Sequence, residues 1–221
     1  MKKLKNVIII LVVLILMFFI VFLFLKRPNL MPVKGQLGKL DLNDVDKLII
    51  ISHPGDESVF GGAHLLYDRY LVVCVSCGYD SEMTESFKKA LNYSDDSSIM
   101  MGYSDKVYFG FNYRKIKKQL KFILKYKNWK EVITHNPDGE YGNYQHKQLN
   151  QILNELEVNN LYYFGEYYSE KELDKLDKET NLDASLIRGK IKMVKKYDNL
   201  YDDYSHILPF EDWIGADKWK S

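Results

Sequence analysis

Two short segments hold residue types that could do chemistry together. The first is Ser52-His53-Pro54-Gly55-Asp56-Glu57. The second is Thr134-His135-Asn136-Pro137-Asp138-Gly139-Glu140-Tyr141-Gly142-Asn143-Tyr144-Gln145-His146. Each follows a short apolar run and precedes a stretch of helical spacing, so each reads as a loop that leaves a strand and opens a helix. In an open parallel sheet such loops gather at the carboxyl edge, where ligands bind. Imidazole nitrogen and carboxylate oxygen are donors that suit Zn²⁺. His53, Asp56 and His146 would give three protein ligands with a position left for water, the arrangement of catalytic zinc sites. Taken alone, the first segment reads equally well as a Pro-Gly turn with Asp56 capping a helix. A lone helical histidine in the second would also mean little. The pairing of two strand-end loops is what points to a metal.

The elements that must position these loops are legible as an alternation. Apolar, β-branched runs occur at Lys47–Ser52, Tyr70–Ser76, Lys106–Phe109, Glu131–Thr134 and Leu161–Phe164. Between them lie stripes of helical period: Ile116, Leu120, Ile123 and Leu124; Leu149, Ile152, Leu153 and Leu156; Ile187, Ile191, Val194 and Tyr197. A helix is also expected from Ser58 to about Tyr67. Short strands alternating with amphipathic helices predict an α/β domain with a mostly parallel sheet covered on both faces. No internal repeat and no second folded domain is evident. Cys74 and Cys77 read as packing residues within a strand, since positions i and i+3 point to opposite faces. His64 and His206 show no partner. The seventeen tyrosines suit either a glycan-binding cleft or an ordinary half-buried surface.

The amino terminus is of another kind. Val7 to Leu25 is an unbroken apolar run, about 28 Å long as a helix and close to the hydrocarbon thickness of a bilayer. It exceeds the apolar region of a secretory signal, and Lys26-Arg27-Pro28 follows it with no small-residue cleavage pattern. The expected organisation is an uncleaved single-pass anchor over 1–27, an extended tether over 28–42, and a body over 43–221. Lys2, Lys3 and Lys5 favour an amino terminus inside and a body outside the cytoplasm, at the cell membrane. Residues 1–27 hold five Lys/Arg and no acid, leaving 26 Lys/Arg against 30 Asp/Glu in the rest. A weakly acidic body argues against nucleic acid as the main partner.

At the two loops the sequence resembles the PIG-L/LmbE-like family of zinc-dependent de-N-acetylases. The family's first motif reads A/S-H-P-D-D-E and its second T-H-x-P-x-G-E-Y-G-H-x-x-H; the likeness runs from about Val45 to Trp213. It implies a Rossmann-like fold, one Zn²⁺ held by His53, Asp56 and His146, and removal of acetyl from an N-acetylated amino sugar. Tyr141 matches a residue that can stabilise an oxyanion. Two positions depart from the pattern. Gly55 stands where the family has its aspartate general base, and Asn143 stands where it has a histidine. Losing a general base costs about 10²–10⁴ in rate. Asn143 could still donate a hydrogen bond, and Asp138 and Glu140 are conceivable substitute bases. The expectation is a membrane-tethered N-deacetylase acting on a surface glycan or glycolipid. The alternative is a weakened or inactive relative serving as a tethered glycan- or metal-binding module.

Overall fold

The strands of the body are apolar along nearly their whole length because both faces of the sheet are covered. The computed structural model describes residues 2–25, 30–106, 112–176 and 182–220. After α1 (Lys2–Leu25), the order is α2 (Val33–Leu37), β1 (Lys47–Ile51), α3 (Asp56–Phe60), α4 (Gly62–Leu65), β2 (Tyr70–Ser76), α5 (Ser81–Ser94) and β3 (Ser97–Tyr103). There follow α6 (Tyr113–Leu124), β4 (Glu131–Thr134), α7 (Tyr144–Glu155), β5 (Leu161–Phe164), α8 (Ala184–Val194), α9 (Leu200–Tyr204) and β6 (Trp213–Gly215). The six strands form one sheet in the order β3-β2-β1-β4-β5-β6. All neighbours are parallel except β6, which pairs antiparallel with β5. The chain begins in the middle, winds outward to β3, then crosses back to β4. The order therefore reverses between β1 and β4, and a crevice opens there at the carboxyl ends.

Alternation along the strands builds two cores. Leu48, Ile50, Leu71 and Val73 face one side, where Ile116, Leu120 and Ile123 of α6 and Leu149, Ile152 and Leu153 of α7 meet them. Ile49, Ile51, Val72 and Cys74 face the other, against Phe87, Ala90 and Leu91 of α5 and Met193 and Val194 of α8. The mostly parallel α/β sheet is as the alternation predicts.

Several elements differ from the sequence expectation. Residues 30–42 are not an extended tether. Val33 and Leu37, four apart on one face of α2, are buried in the first core, and Gln36 ties to Met100 through Nε2 and Oε1. The expected strand Lys106–Phe109 lies, beyond Lys106, outside the described residues. The third strand is Ser97–Tyr103, whose Ser and Met residues lack the β-branched signature. The helix expected from Ser58 to Tyr67 is two short helices that meet at Gly61. A Cβ there would stand 3.1 Å from the Glu57 carbonyl oxygen and 3.2 Å from the Trp213 ring.

Helix α1 is 24 residues long. Its described side chains beyond Asn6 run from Ile8 to Phe19, all exposed. Among the described residues, no helix is long and apolar enough to cross a membrane.

One half-buried acid ties the far edge of the sheet. Asp96 accepts from the Tyr70 amide (2.7 Å) and the Ser94 hydroxyl (2.5 Å), and burial pushes its pKa up to about 7. Because the unfolded value is lower, folding takes up a proton. Its contribution to stability is greatest below about pH 4 and is lost as pH rises through about 7. Asp96→Asn is expected to flatten that loss, so that urea midpoints at pH 5 and pH 8 lie closer together than in the wild type.

Candidate metal centre

The crevice between β1 and β4 receives both loops. After β1, Gly55 (φ +103°) turns the chain into α3. Glu57, fully buried, braces this turn: it accepts from the Gly55 amide (2.9 Å), the Ser58 hydroxyl (2.7 Å) and the Tyr197 hydroxyl (2.6 Å). Burial raises its carboxyl to about 7 against those three donors. After β4, Asn136 organises the second loop. Its Oδ1 accepts from the amides of Asp138 (3.0 Å) and Glu140 (3.1 Å), and its Nδ2 reaches the Gly165 carbonyl (2.9 Å) beyond β5. That cage holds Glu140 at φ +53°, a left-handed conformation uncommon outside glycine.

His53 Nδ1, Asp56 Oδ2 and His146 Nε2 converge. The nitrogens are 3.1 Å apart, and each lies 3.4 Å from the carboxylate oxygen. Ligands at ~2.0–2.1 Å around a tetrahedral ion sit about 3.3 Å from one another. The partners on the far side of each ring assign the protons. His146 Nδ1 is 2.5 Å from Glu140 Oε2, so it carries the hydrogen and leaves Nε2 bare. His53 Nε2 is 2.5 Å from Gln145 Oε1, which leaves Nδ1 bare. With both imidazoles neutral, two bare ring nitrogens meet a carboxylate oxygen that also accepts the His53 amide (2.8 Å), and neither nitrogen has a hydrogen to offer it. That arrangement fits a cation.

The two carboxylates at this site are ionised. Burial would raise Asp56, but His146, His135 and His53 hold its carboxyl well below the usual range. Glu140, also buried, is brought down to about 2 by His135 and His146. A second cluster of potential ligands, His135, Glu140 and His146, lies behind the first. It is completely buried, and its atoms are already engaged. His135 Nδ1 faces Glu140 Oε2 (3.0 Å), and His135 Nε2 accepts the Ser52 amide (2.9 Å). Engaged in this way, the cluster is suited to orienting His146 rather than to binding an ion itself. Glu140→Gln is accordingly expected to weaken zinc binding about 10–100-fold while His53, Asp56 and His146 remain, as read by competition with a chromophoric chelator.

The other residues singled out in the sequence are placed as follows. Tyr141 is half exposed beside the centre, its ring edge-on to His146 (centroids 5.5 Å) and grouped with Tyr167 and Tyr204. Burial, with the Asp56 charge, raises its phenol, so the hydroxyl keeps its proton. Asn143 caps α7, its Oδ1 accepting from the amides of Gln145 (2.8 Å) and His146 (3.3 Å). Only its Nδ2 is left, 3.4 Å from the Tyr141 hydroxyl. Asp138 does not join the site: its carboxylate turns to solvent and pairs with Lys220. His64, which showed no partner in the sequence, binds Glu211 (2.6 Å) and stacks on Trp213. Sequence reasoning missed His135 and Gln145 as orienting groups, named Glu140 only as a base, and missed Leu200, whose side chain packs against Gly55. The spacing of His135, Glu140 and His146 within one loop was the available signal.

No protein-family model matches the chain. Protein L374 of Acanthamoeba polyphaga mimivirus, itself uncharacterised, is 29% identical over 182 residues, covering 74% of this chain and 73% of the viral one. Among solved structures, the 4-carboxy-2-hydroxymuconate hydratase GalB from Pseudomonas putida aligns with a TM-score of 0.56 and 15% identity, over 73% of this chain and 83% of that one. N,N'-diacetylchitobiose deacetylase from Pyrococcus horikoshii aligns at 0.52 and 14%, over 81% and 86%. A deacetylase of teicoplanin biosynthesis aligns at 0.53 and 14%, over 71% and 89%. The fold is shared with these proteins, as the resemblance implies. A hydratase among them means that the fold alone does not fix the reaction.

Proposed function

We propose that the chain is a PIG-L/LmbE-like, zinc-dependent de-N-acetylase, anchored by residues 7–25 and acting on an N-acetylated amino sugar of a surface or lipid-linked glycan. The observation that carries this reading is the convergence of His53 Nδ1, Asp56 Oδ2 and His146 Nε2, with Glu140 and Gln145 fixing which nitrogens are bare. Two structures of the same fold are named as deacetylases, one of them for an acetylated chitobiose. Zn²⁺ held there supplies Lewis-acid polarisation of an amide carbonyl and a more acidic water. The protein's part is to position and to stabilise. The Tyr141 hydroxyl, protonated and half exposed next to His146, donates to the carbonyl oxygen as it gains charge. Tyr167 and Tyr204 extend an aromatic wall beside it, of the kind that packs against a sugar face.

One observation favours the second reading, a tethered binding module. At Gly55 the backbone is left-handed, and Leu200 at the start of α9 lies where a side chain would go: its Cδ2 is 2.6 Å from the position of a Cβ. A Leu200 methyl group thus stands against the point from which the family's base would project. The acetate released from N-acetylglucosamine-containing oligosaccharides, measured with zinc content on the same sample, separates the two readings. Gly55→Asp alone is expected to cost about 1–3 kcal/mol in backbone strain and to give no gain in rate. Gly55→Asp with Leu200→Ala, which clears the methyl, is expected to raise acetate release on the order of 100-fold at unchanged zinc content. If the wild type and the double variant both bind zinc, fold, and release no acetate, the binding module is the better account.

A further inference from the structure

Charge is distributed over this chain in a way the catalytic reading leaves unexplained. Between residues 113 and 130 there are eight Lys/Arg and no acid. Outside that segment and the first 27 residues, eighteen Lys/Arg face thirty Asp/Glu. The body is therefore acidic except along α6 and the turn after it. On α6, Ile116, Leu120 and Ile123 point into the core, while Arg114, Lys118, Lys121 and, just past the helix end, Lys125 are exposed at a spacing that makes one outward stripe. Phe122 and Tyr126, four apart, are also exposed beside that stripe (42% and 47%). Lys117 pairs with Glu155 at 2.7 Å, and Lys127 binds the carbonyls of Leu42, Asn43 and Val45. Among the described residues, Arg114, Lys115, Lys118, Lys121 and Lys125 form no ion pair. A basic stripe interleaved with exposed aromatics suits an anionic lipid surface, where the cations meet headgroups and the rings enter the interface.

Chain connectivity places this face near α1. Leu30 is packed at Gly78 and Gly102, and with Lys115 and Gln119 of α6 it lines a cavity of about 350 Å³ between α2 and α6. Four residues separate Leu30 from the last residue of α1, Leu25, a reach over five Cα steps of at most ~18 Å. The surface around Leu30 and α6 is thus held close to wherever α1 resides.

We propose that the outward face of α6 docks on an anionic bilayer and fixes the orientation of the body at the membrane. This rests on the anchor reading above. The test uses the unaltered full chain in nanodiscs of phosphatidylcholine alone or with an equal part of phosphatidylglycerol, footprinted with an amine-reactive reagent. Lys88 on α5 and Lys192 on α8, exposed on the opposite face of the sheet, are internal references. Lys118, Lys121 and Lys125 are expected to react several-fold more slowly than the references in the anionic discs. That protection is expected to be absent in neutral discs and to disappear at high salt. Equal reactivity in both discs, with the chain riding in each, overturns the docking and leaves the anchor standing. A chain that enters neither disc overturns the anchor and the docking with it. Protection that a duplex DNA, added in matching phosphate, removes from the anionic discs assigns the surface to nucleic acid instead.

Discussion

Replacing His146 by alanine is expected to lower zinc affinity by more than about 100-fold and to remove acetate release with it. The loss should exceed the 10–100-fold typical of residues that only orient a ligand, because a three-ligand site holds no spare donor. His135, the nearest other imidazole, cannot substitute, since its Nε2 accepts the Ser52 amide and its Nδ1 is committed to Glu140. The fold should survive: His146 sits in the first turn of α7, where Asn143 caps the helix through the amides of residues 145 and 146. Equilibrium dialysis against zinc, with circular dichroism on the same sample, reads both. Stoichiometric zinc in His146→Ala would remove this residue from the centre.

Lys190→Met is expected to destabilise the body by about 3–5 kcal/mol. Lys190 and Glu211 are completely buried and 2.8 Å apart. Lys190 also donates to the Phe210 carbonyl, while Glu211 accepts the amides of Ala63 and His64 and the His64 ring. This cluster joins α4, α8 and the approach to β6. Removing the ammonium leaves a carboxylate in a dry interior whose low pKa, against the cost of burial, depends first on Lys190. Lys190→Met with Glu211→Gln is expected to regain much of the loss, because the stranded charge goes too. Urea denaturation in detergent measures both. A double variant no better than the single would mean that the pair matters through packing alone.

How much of this was legible in the sequence differs by element. The two loops were, because Pro-Gly and Pro-Asp-Gly turns after apolar runs mark strand-to-helix junctions wherever they occur. The convergence of His53, Asp56 and His146 followed from the parallel sheet, which brings the carboxyl ends of β1 and β4 side by side. The orienting residues were not legible. Glu140 reaches back to two histidines only because its own φ is positive, and nothing in its identity announces that conformation. Asp138, two residues earlier, has the same chemistry and faces solvent. Leu200 lies 145 residues from Gly55, and no local pattern reports a contact at that separation. Strand β3 escaped because Ser97-Ser98-Ile99-Met100-Met101 owes its extended form to pairing with β2, not to its own propensity. Helix α2 escaped because Pro32, Gly35 and Gly38 suggest a linker, whereas Val33 and Leu37 reach the core.

The most direct test of the metal assignment is a zinc-edge anomalous difference map from crystals of the full chain purified without chelator. One peak per chain is expected, within ~2.0–2.2 Å of His53 Nδ1, Asp56 Oδ2 and His146 Nε2. A map without a peak there, or with its peak among His135, Glu140 and His146 instead, would contradict the account.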